Sequence, residues 1–152
     1  MRLVRPSVKS DVYSLQGNLR DVDVEELRLQ GQDPSGALVQ GLWRSRPHAY
    51  TIEFDGEPVG MFGVVPGLVE HRGAVWLLGS PELTAPEHSR WFLRESRKWL
   101  EDVRHPDSGW TVLYNQVYDK NEIHKRWLQW LDFEFIRHSP PFIEFIQVCA
   151  TL

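Results

Sequence analysis

The chain has 152 residues, of which 41% are apolar and 12% aromatic, including 7 Trp. That is enough to bury a core in one domain and excludes a disordered tail. A formal charge of −4 argues against a protein that binds nucleic acid by neutralising phosphates, and a lone cysteine, Cys149, excludes an internal disulfide.

The N-terminal stretch MRLVRPSVKSD lacks an apolar signal core, and no apolar run is long enough to span a bilayer, so a soluble, intracellular-type domain is expected. Leu3-Val4 makes a short strand that Pro6 ends. Ser7 or Ser10 can cap a helix toward Leu15, with Gly17-Asn18 as its stop. Asp23 and Glu26 have capping-box spacing, which predicts a second helix over Val24 to Gln30. Pro34 suits the first turn of a third helix, Ser35 to Arg44. Ala49 to Phe54 alternates, Asp55-Gly56 is a strong hairpin signal, and Pro58 to Val65 returns, with Gly60 and Gly63 marking a bulge or a close neighbour. After a loop from Pro66-Gly67 through His71, Ala74 to Leu78 is wholly apolar, as in a central strand buried on both faces.

Gly79 to Pro86 reads as a loop and Glu87 to Arg104 as the longest helix, with Phe92, Ser96, Trp99, Leu100 and Val103 inward. Trp110 to Val117 alternates as a strand, and Tyr118-Asp119-Lys120 turns the chain. From Asn121 the period is helical, placing Ile123, Trp127, Trp130 and Leu131 on the inward face. The helix stops at Asp132. Phe133 to Ile136 is extended, Pro140-Pro141 breaks the chain, and Phe142 to Val148 is a last alternating strand. Residues 1–152 are expected to form one α/β (α+β) domain, with no repeat or linker.

This element order resembles that of the GNAT (acyl-CoA N-acyltransferase) superfamily. Val117 to Phe133 is similar to a motif of that superfamily in which an Asn opens a helix ending in Gly-Phe; Asn121 and Phe133 match the Asn and the Phe. GVVPG at Gly63–Gly67, VWLLGSPEL at Val75–Leu83, FLRESRKWL at Phe92–Leu100 and HKRWLQWLDF at His124–Phe133 resemble, more narrowly, GNAT-like internal virion or assembly proteins of short-tailed bacteriophages. The resemblance runs from roughly Tyr50 to the C-terminus and implies a mixed central sheet of about six to seven strands flanked by helices.

It also implies acetyl-CoA held where the central strand splays from its neighbour, with pyrophosphate on backbone N–H groups of a Gly-rich loop at the N-terminus of the long helix. The matching loop, Gly79 to His88, departs from that pattern. It has no Gly after Gly79, Pro81 and Pro86 remove donors, and Glu82 and Glu87 bring negative charge. Leu78, Gly79, Ser80, Thr84, Ser89 and Asn121 are the positions that would contact the cofactor. Many members carry a Tyr as general acid where this chain has Leu128, and Asp132 stands in place of the motif's Gly. Tyr114 and Tyr118 read as sheet residues.

Candidate general bases are Glu53, on a strand, and His71, in a loop; both also suit plain solvent-facing roles. His124 reads as a packed or capping residue. No His or Cys spacing suggests a metal. Trp43 and Trp91 are candidates for partner contact. The altered positions favour a non-catalytic phage protein that contacts other virion or assembly proteins, in the host cytoplasm or the virion. The alternative is an N-acetyltransferase moving an acetyl group from acetyl-CoA to an amine. Neither nucleic acid nor membrane is an expected partner.

Overall fold

The computed structural model describes residues 1–149. Seven strands form one mixed sheet in the order β1-β2-β3-β4-β5-β7-β6. They are β1 Arg2–Pro6, β2 Tyr50–Phe54, β3 Glu57–Pro66, β4 Arg72–Gly79, β5 Val112–Tyr118, β6 Glu134–Ser139 and β7 Phe142–Val148. Among the described residues there are five α-helices: α1 Lys9–Leu15, α2 Asp21–Leu29, α3 Pro34–Arg44, α4 Ser89–Arg104 and α5 Glu122–Trp130. None of them is long and apolar enough to cross a membrane. The arrangement is therefore the mixed α/β sheet flanked by helices expected from the sequence. The chain groups into two compact units, Met1–Val65 with Val75–Ala85 and Pro66–Ala74 with Pro86–Leu152.

In the first unit, β1 pairs antiparallel with β2, and β2 with β3. The β2–β3 hairpin turns on Asp55 (φ 50°) and Gly56 (φ 83°), the paired positive φ values that a tight hairpin turn demands and that Asp-Gly supplies at low strain. A buried cluster of Val12, Leu15, Leu19, Leu27, Ala37 and Leu38 packs with Met61 of β3 and Leu78 of β4. Each of its buried Val, Leu and Met side chains contributes about 1.5–3 kcal/mol relative to exposure. Two glycines permit the close approach of α3. A Cβ at Gly41 would lie 2.4 Å from the Trp76 ring, and one at Gly63 would lie 2.6 Å from Ser45 Oγ. Trp76 Nε1 donates to Ser45 Oγ at 2.8 Å, fixing that indole.

The helix starts differ from expectation. Neither Ser7 nor Ser10 caps α1; the Asp11 carboxylate instead accepts from Val8 N–H, while Ser7 bonds Thr51. Asp23 does not cap α2. Arg20 holds the cap position, and Asp23 is drawn inward to pair with its guanidinium. Asp33 caps α3 by accepting from Gly36 N–H at 2.6 Å.

In the second unit, β5 pairs antiparallel with β7 and β7 with β6. The parallel ladder of β4 with β5 joins Arg72, Gly73 and Ala74 to Val112, Leu113 and Tyr114. Phe92 stacks on Trp127 at 5.8 Å, and Phe133 meets Phe145 edge-on at 5.2 Å. The inward face of α5 differs from the expected one. His124 and Leu128 are buried with Leu131, whereas Ile123 is 44% and Trp130 41% exposed. The physical reason is that α5 carries two apolar stripes, and the packed one centres on Leu128. Asp132 takes φ 66° to end the helix, a left-handed turn that the motif's Gly would make without strain.

Candidate functional site

The end of β4 and the loop after it can be built residue by residue within the first unit. Leu78 is buried in the core cluster, so its side chain is a packing group. Gly79 is held on both sides of its peptide. Its N–H donates to Asp23 Oδ2 at 3.2 Å, and its carbonyl accepts from Arg20 N–H at 2.9 Å. Ser80 N–H donates to Val59 O at 2.9 Å. The amides of Gly79 and Ser80 are thus committed to protein partners. Beyond them, Pro81–Thr84 form one 3-10 turn, with Leu83 buried beneath it and Thr84 Oγ1 donating to Pro81 O at 3.4 Å.

The clamp on Gly79 is a buried ion pair. Arg20 Nη2 donates to Asp23 Oδ1 at 2.8 Å, with side chains 7% and 0% exposed. Such a pair gives little net stability over hydrocarbon, because desolvating both charges offsets their attraction. Its structural effect is positional: it fixes the last peptide of β4 from the start of α2. Beside it sits an unmet group. Ser80 is 6% exposed, and its buried Oγ has no hydrogen-bond partner. Buried polar atoms are nearly always paired, so this hydroxyl is an unmet hydrogen-bonding group at the end of β4.

A second polar network lies between β1, α1 and β2. Asp11 accepts from Arg5 at 2.9 and 2.8 Å, from Val8 N–H at 2.9 Å and from Thr51 Oγ1 at 2.7 Å. Burial alone would raise the Asp11 carboxyl; the Arg5, Val8 and Thr51 hydrogen bonds outweigh it and hold the carboxyl below its usual value. The hydrogen bond to Asp11 also raises Arg5 above its ordinary value. Glu53, a candidate base from sequence, is tied into this network by Arg5 Nη2 at 3.1 Å and is not a solvated strand residue.

The remaining candidates fall in the second unit. His71 sits at φ 66° in the β3–β4 loop, its Nδ1 3.1 Å from Gly109 O and its Nε2 3.5 Å from Glu70. Ser89 Oγ donates to Pro86 O at 3.0 Å and opens α4, whose cap residue His88 makes no side-chain capping bond. Asn121 is 1% exposed and caps α5 by accepting from His124 N–H at 3.4 Å. That makes it first a structural residue. Leu128 is 2% exposed and has no proton to give. Trp91 is half-buried, whereas Trp43, in the first unit, is 68% exposed.

Three features escaped sequence reasoning: the Arg20–Asp23 clamp, the Asp11 hub, and a His138–Asp119 pair at 3.0 Å. Only the first carried a local signal, the i,i+3 spacing of opposite charges. Among the described residues no cluster of three or more His, Cys, Asp or Glu could hold a metal ion.

No protein-family model matches the chain, and no curated protein does. Solved structures do. The ribosomal-protein-S18-alanine N-acetyltransferase of Escherichia coli superposes with TM-score 0.69 at 10% identity, over 100% of this chain and 96% of that one. The PaiA N-acetyltransferase of Thermoplasma acidophilum, solved with coenzyme A, gives 0.70 at 12% identity, over 97% and 99%. An aminoglycoside acetyltransferase solved with coenzyme A gives 0.67 at 16%, over 97% and 95%. At these identities the likeness concerns architecture, and on that ground the chain has the fold of the GNAT acetyltransferases.

Proposed function

We propose that the chain is an acetyl-CoA-dependent N-acetyltransferase that transfers an acetyl group to an amine. The observation that carries this reading is the buried, unpartnered hydroxyl of Ser80, one residue beyond the end of β4, in a fold whose solved examples include coenzyme A complexes. Acetyl-CoA would supply an activated thioester; the amine attacks its carbonyl carbon, the C–S bond breaks, and the amine's proton leaves to solvent. Ser80 would offer one hydrogen bond to the cofactor once the groups that cover its buried hydroxyl move aside. The cofactor's fit is partial, because the Gly79 and Ser80 amides are occupied and Glu82 adds negative charge to the loop. Glu53 is tied to Arg5. Deprotonation of the amine is then left to the solvent equilibrium.

Calorimetric titration with acetyl-CoA tests the reading. Saturable micromolar binding is expected, weakened in Ser80→Ala and followed by thiol release when a panel of amines is added. No heat at high ligand concentration with folded protein would overturn it.

A second reading is favoured by Leu128, which has no acidic proton, and by the exposed Trp43. On that reading the chain is a non-catalytic, phage-type component that contacts other virion or assembly proteins, in the host cytoplasm or the particle. Its support is the local likeness of four short segments and the occupied amides. The solved structures named above are acetyltransferases, which weighs toward the first reading.

A further inference from the structure

We propose that the seam between α4 and α5 is a docking surface for an acidic, extended polypeptide segment that carries an apolar side chain. Arg90, Arg94 and Arg97 recur at helix spacings of four and three, so they form one ridge along α4. Ile123, Arg126 and Trp130 recur at three and four along α5. The two stripes meet: Arg97 Nη2 donates to Trp130 O at 2.7 Å, its guanidinium lies 3.9 Å over the Trp130 ring, and Trp130 Nε1 donates to Leu93 O at 3.4 Å. All four arginines are exposed.

Charge complementarity identifies the occupant. Among the described residues no carboxylate pairs with Arg90, Arg94, Arg97 or Arg126, while the neighbouring Glu95 and Glu122 are already paired with Lys98 and Lys125. Four uncompensated guanidinium groups on a chain of net charge −4 are a local reversal of sign. Arg90 to Arg97 covers about 10 Å of helix, close to three residues of extended chain at ~3.4 Å each. Carboxylates on alternate residues of a strand-like segment would therefore reach the ridge in turn. Ile123 and Trp130, 44% and 41% exposed, present an apolar step beside it for one aliphatic side chain of the partner. Arg97 is already held by its stack and its hydrogen bond, so docking need not immobilise it. Arg and Trp with fixed geometry are the residue types that dominate binding energy at interfaces. A long polynucleotide fits less well than an acidic segment short enough to end on the ridge, because its phosphates would continue onto the exposed Glu101, Asp102 and Asp132.

The surface is independent of acyl transfer and is tested separately. The probe is a labelled synthetic peptide alternating glutamate with leucine, read by fluorescence anisotropy on the full chain. Competitors are oligouridylate and acetyl-CoA. Binding is expected to weaken with added salt and to fall by roughly tenfold or more in Arg94→Glu. It should fall likewise in Arg126→Glu and in Trp130→Ala, with unchanged circular dichroism in each. Absence of peptide binding would overturn the proposal. So would equal competition by oligouridylate or acetyl-CoA, or binding that survives both charge reversals.

Discussion

Asp23→Asn is the substitution that best separates what the buried clamp does from what it resembles. The side chain keeps its shape and loses its charge. One amide oxygen can still accept from Gly79 N–H, but the amide nitrogen then faces the Arg20 guanidinium, donor against donor. Arg20, 7% exposed at its side chain, is left as a buried cation with its carboxylate gone. Breaking such a pair from one side costs about 3–5 kcal/mol. For a chain of this size that corresponds to a fall in melting temperature of roughly 6–20 °C.

The assay is urea unfolding followed by far-UV circular dichroism and by tryptophan emission, with the slope compared to confirm that the transition itself is unchanged. A companion variant, Arg20→Met with Asp23→Leu, removes both charges and leaves chiefly the Gly79 N–H unsatisfied, a loss of about 1–3 kcal/mol. The double variant should therefore be more stable than Asp23→Asn alone. A single-variant loss under about 1 kcal/mol would refute the reasoning, and so would a double variant less stable than the single one. If the acyl-transfer reading holds, Asp23→Asn also weakens acetyl-CoA binding, since the last peptide of β4 is no longer fixed.

The Asp11 hub predicts a pH dependence whose sign is set by its depressed carboxyl. Its stabilisation is fully present above the ordinary carboxyl value, about 3.9, and is lost as pH falls below that value through the lower folded one. The difference in unfolding free energy between the wild type and Asp11→Asn should shrink across that acid window; a constant difference would contradict the argument. Gly41→Ala gains helix propensity but drives a Cβ to 2.4 Å from the Trp76 ring, so a net loss of about 1–3 kcal/mol is expected in thermal unfolding. A neutral result would show that the half-buried indole can move aside. Asn121→Ala removes the α5 cap at a site 1% exposed and should cost about 0.5–2 kcal/mol by denaturant titration, whether or not the chain binds coenzyme A.

What the sequence made legible were features with local causes. The Asp55-Gly56 turn needs two positive φ values, and the residue pair announces it. Ala74 to Leu78 could be placed as a strand by its apolar run, and the tight contact at Gly63 by its missing side chain. Features set by distant partners were not legible. The face of α5 was read from Ile123, Trp127 and Trp130 because large aromatics at helix spacing look like core. The choice between that stripe and the one through Leu128 is made by tertiary packing. Asp23 was read as a cap because a capping box and an inward ion pair share the same spacing from their helix start. Its true partners include Gly79, 56 positions away. At the candidate site the same limit applies. Ser80 could be named from its loop, but that the amides of Gly79 and Ser80 are occupied depends on α2 and β3.

On the acyl-transfer reading, Leu128 would bear on rate more than on whether the reaction can occur. The leaving group of a thioester is an alkyl thiolate, whose conjugate acid titrates near that of cysteine, about 8.5. Such a group can depart unprotonated near neutral pH, so a missing general acid removes an acceleration of roughly 10²–10⁴-fold without closing the path. Leu128 is also 2% exposed, so a tyrosine introduced there would overpack the core before it could serve as an acid. If the departing sulfur is protonated as it leaves, the proton would come from solvent, and added buffer acids should raise the turnover rate at fixed pH and ionic strength. A rate indifferent to buffer concentration would mean either that another side chain supplies the proton or that the thiolate leaves without one. A solvent isotope effect well above unity would identify the first case.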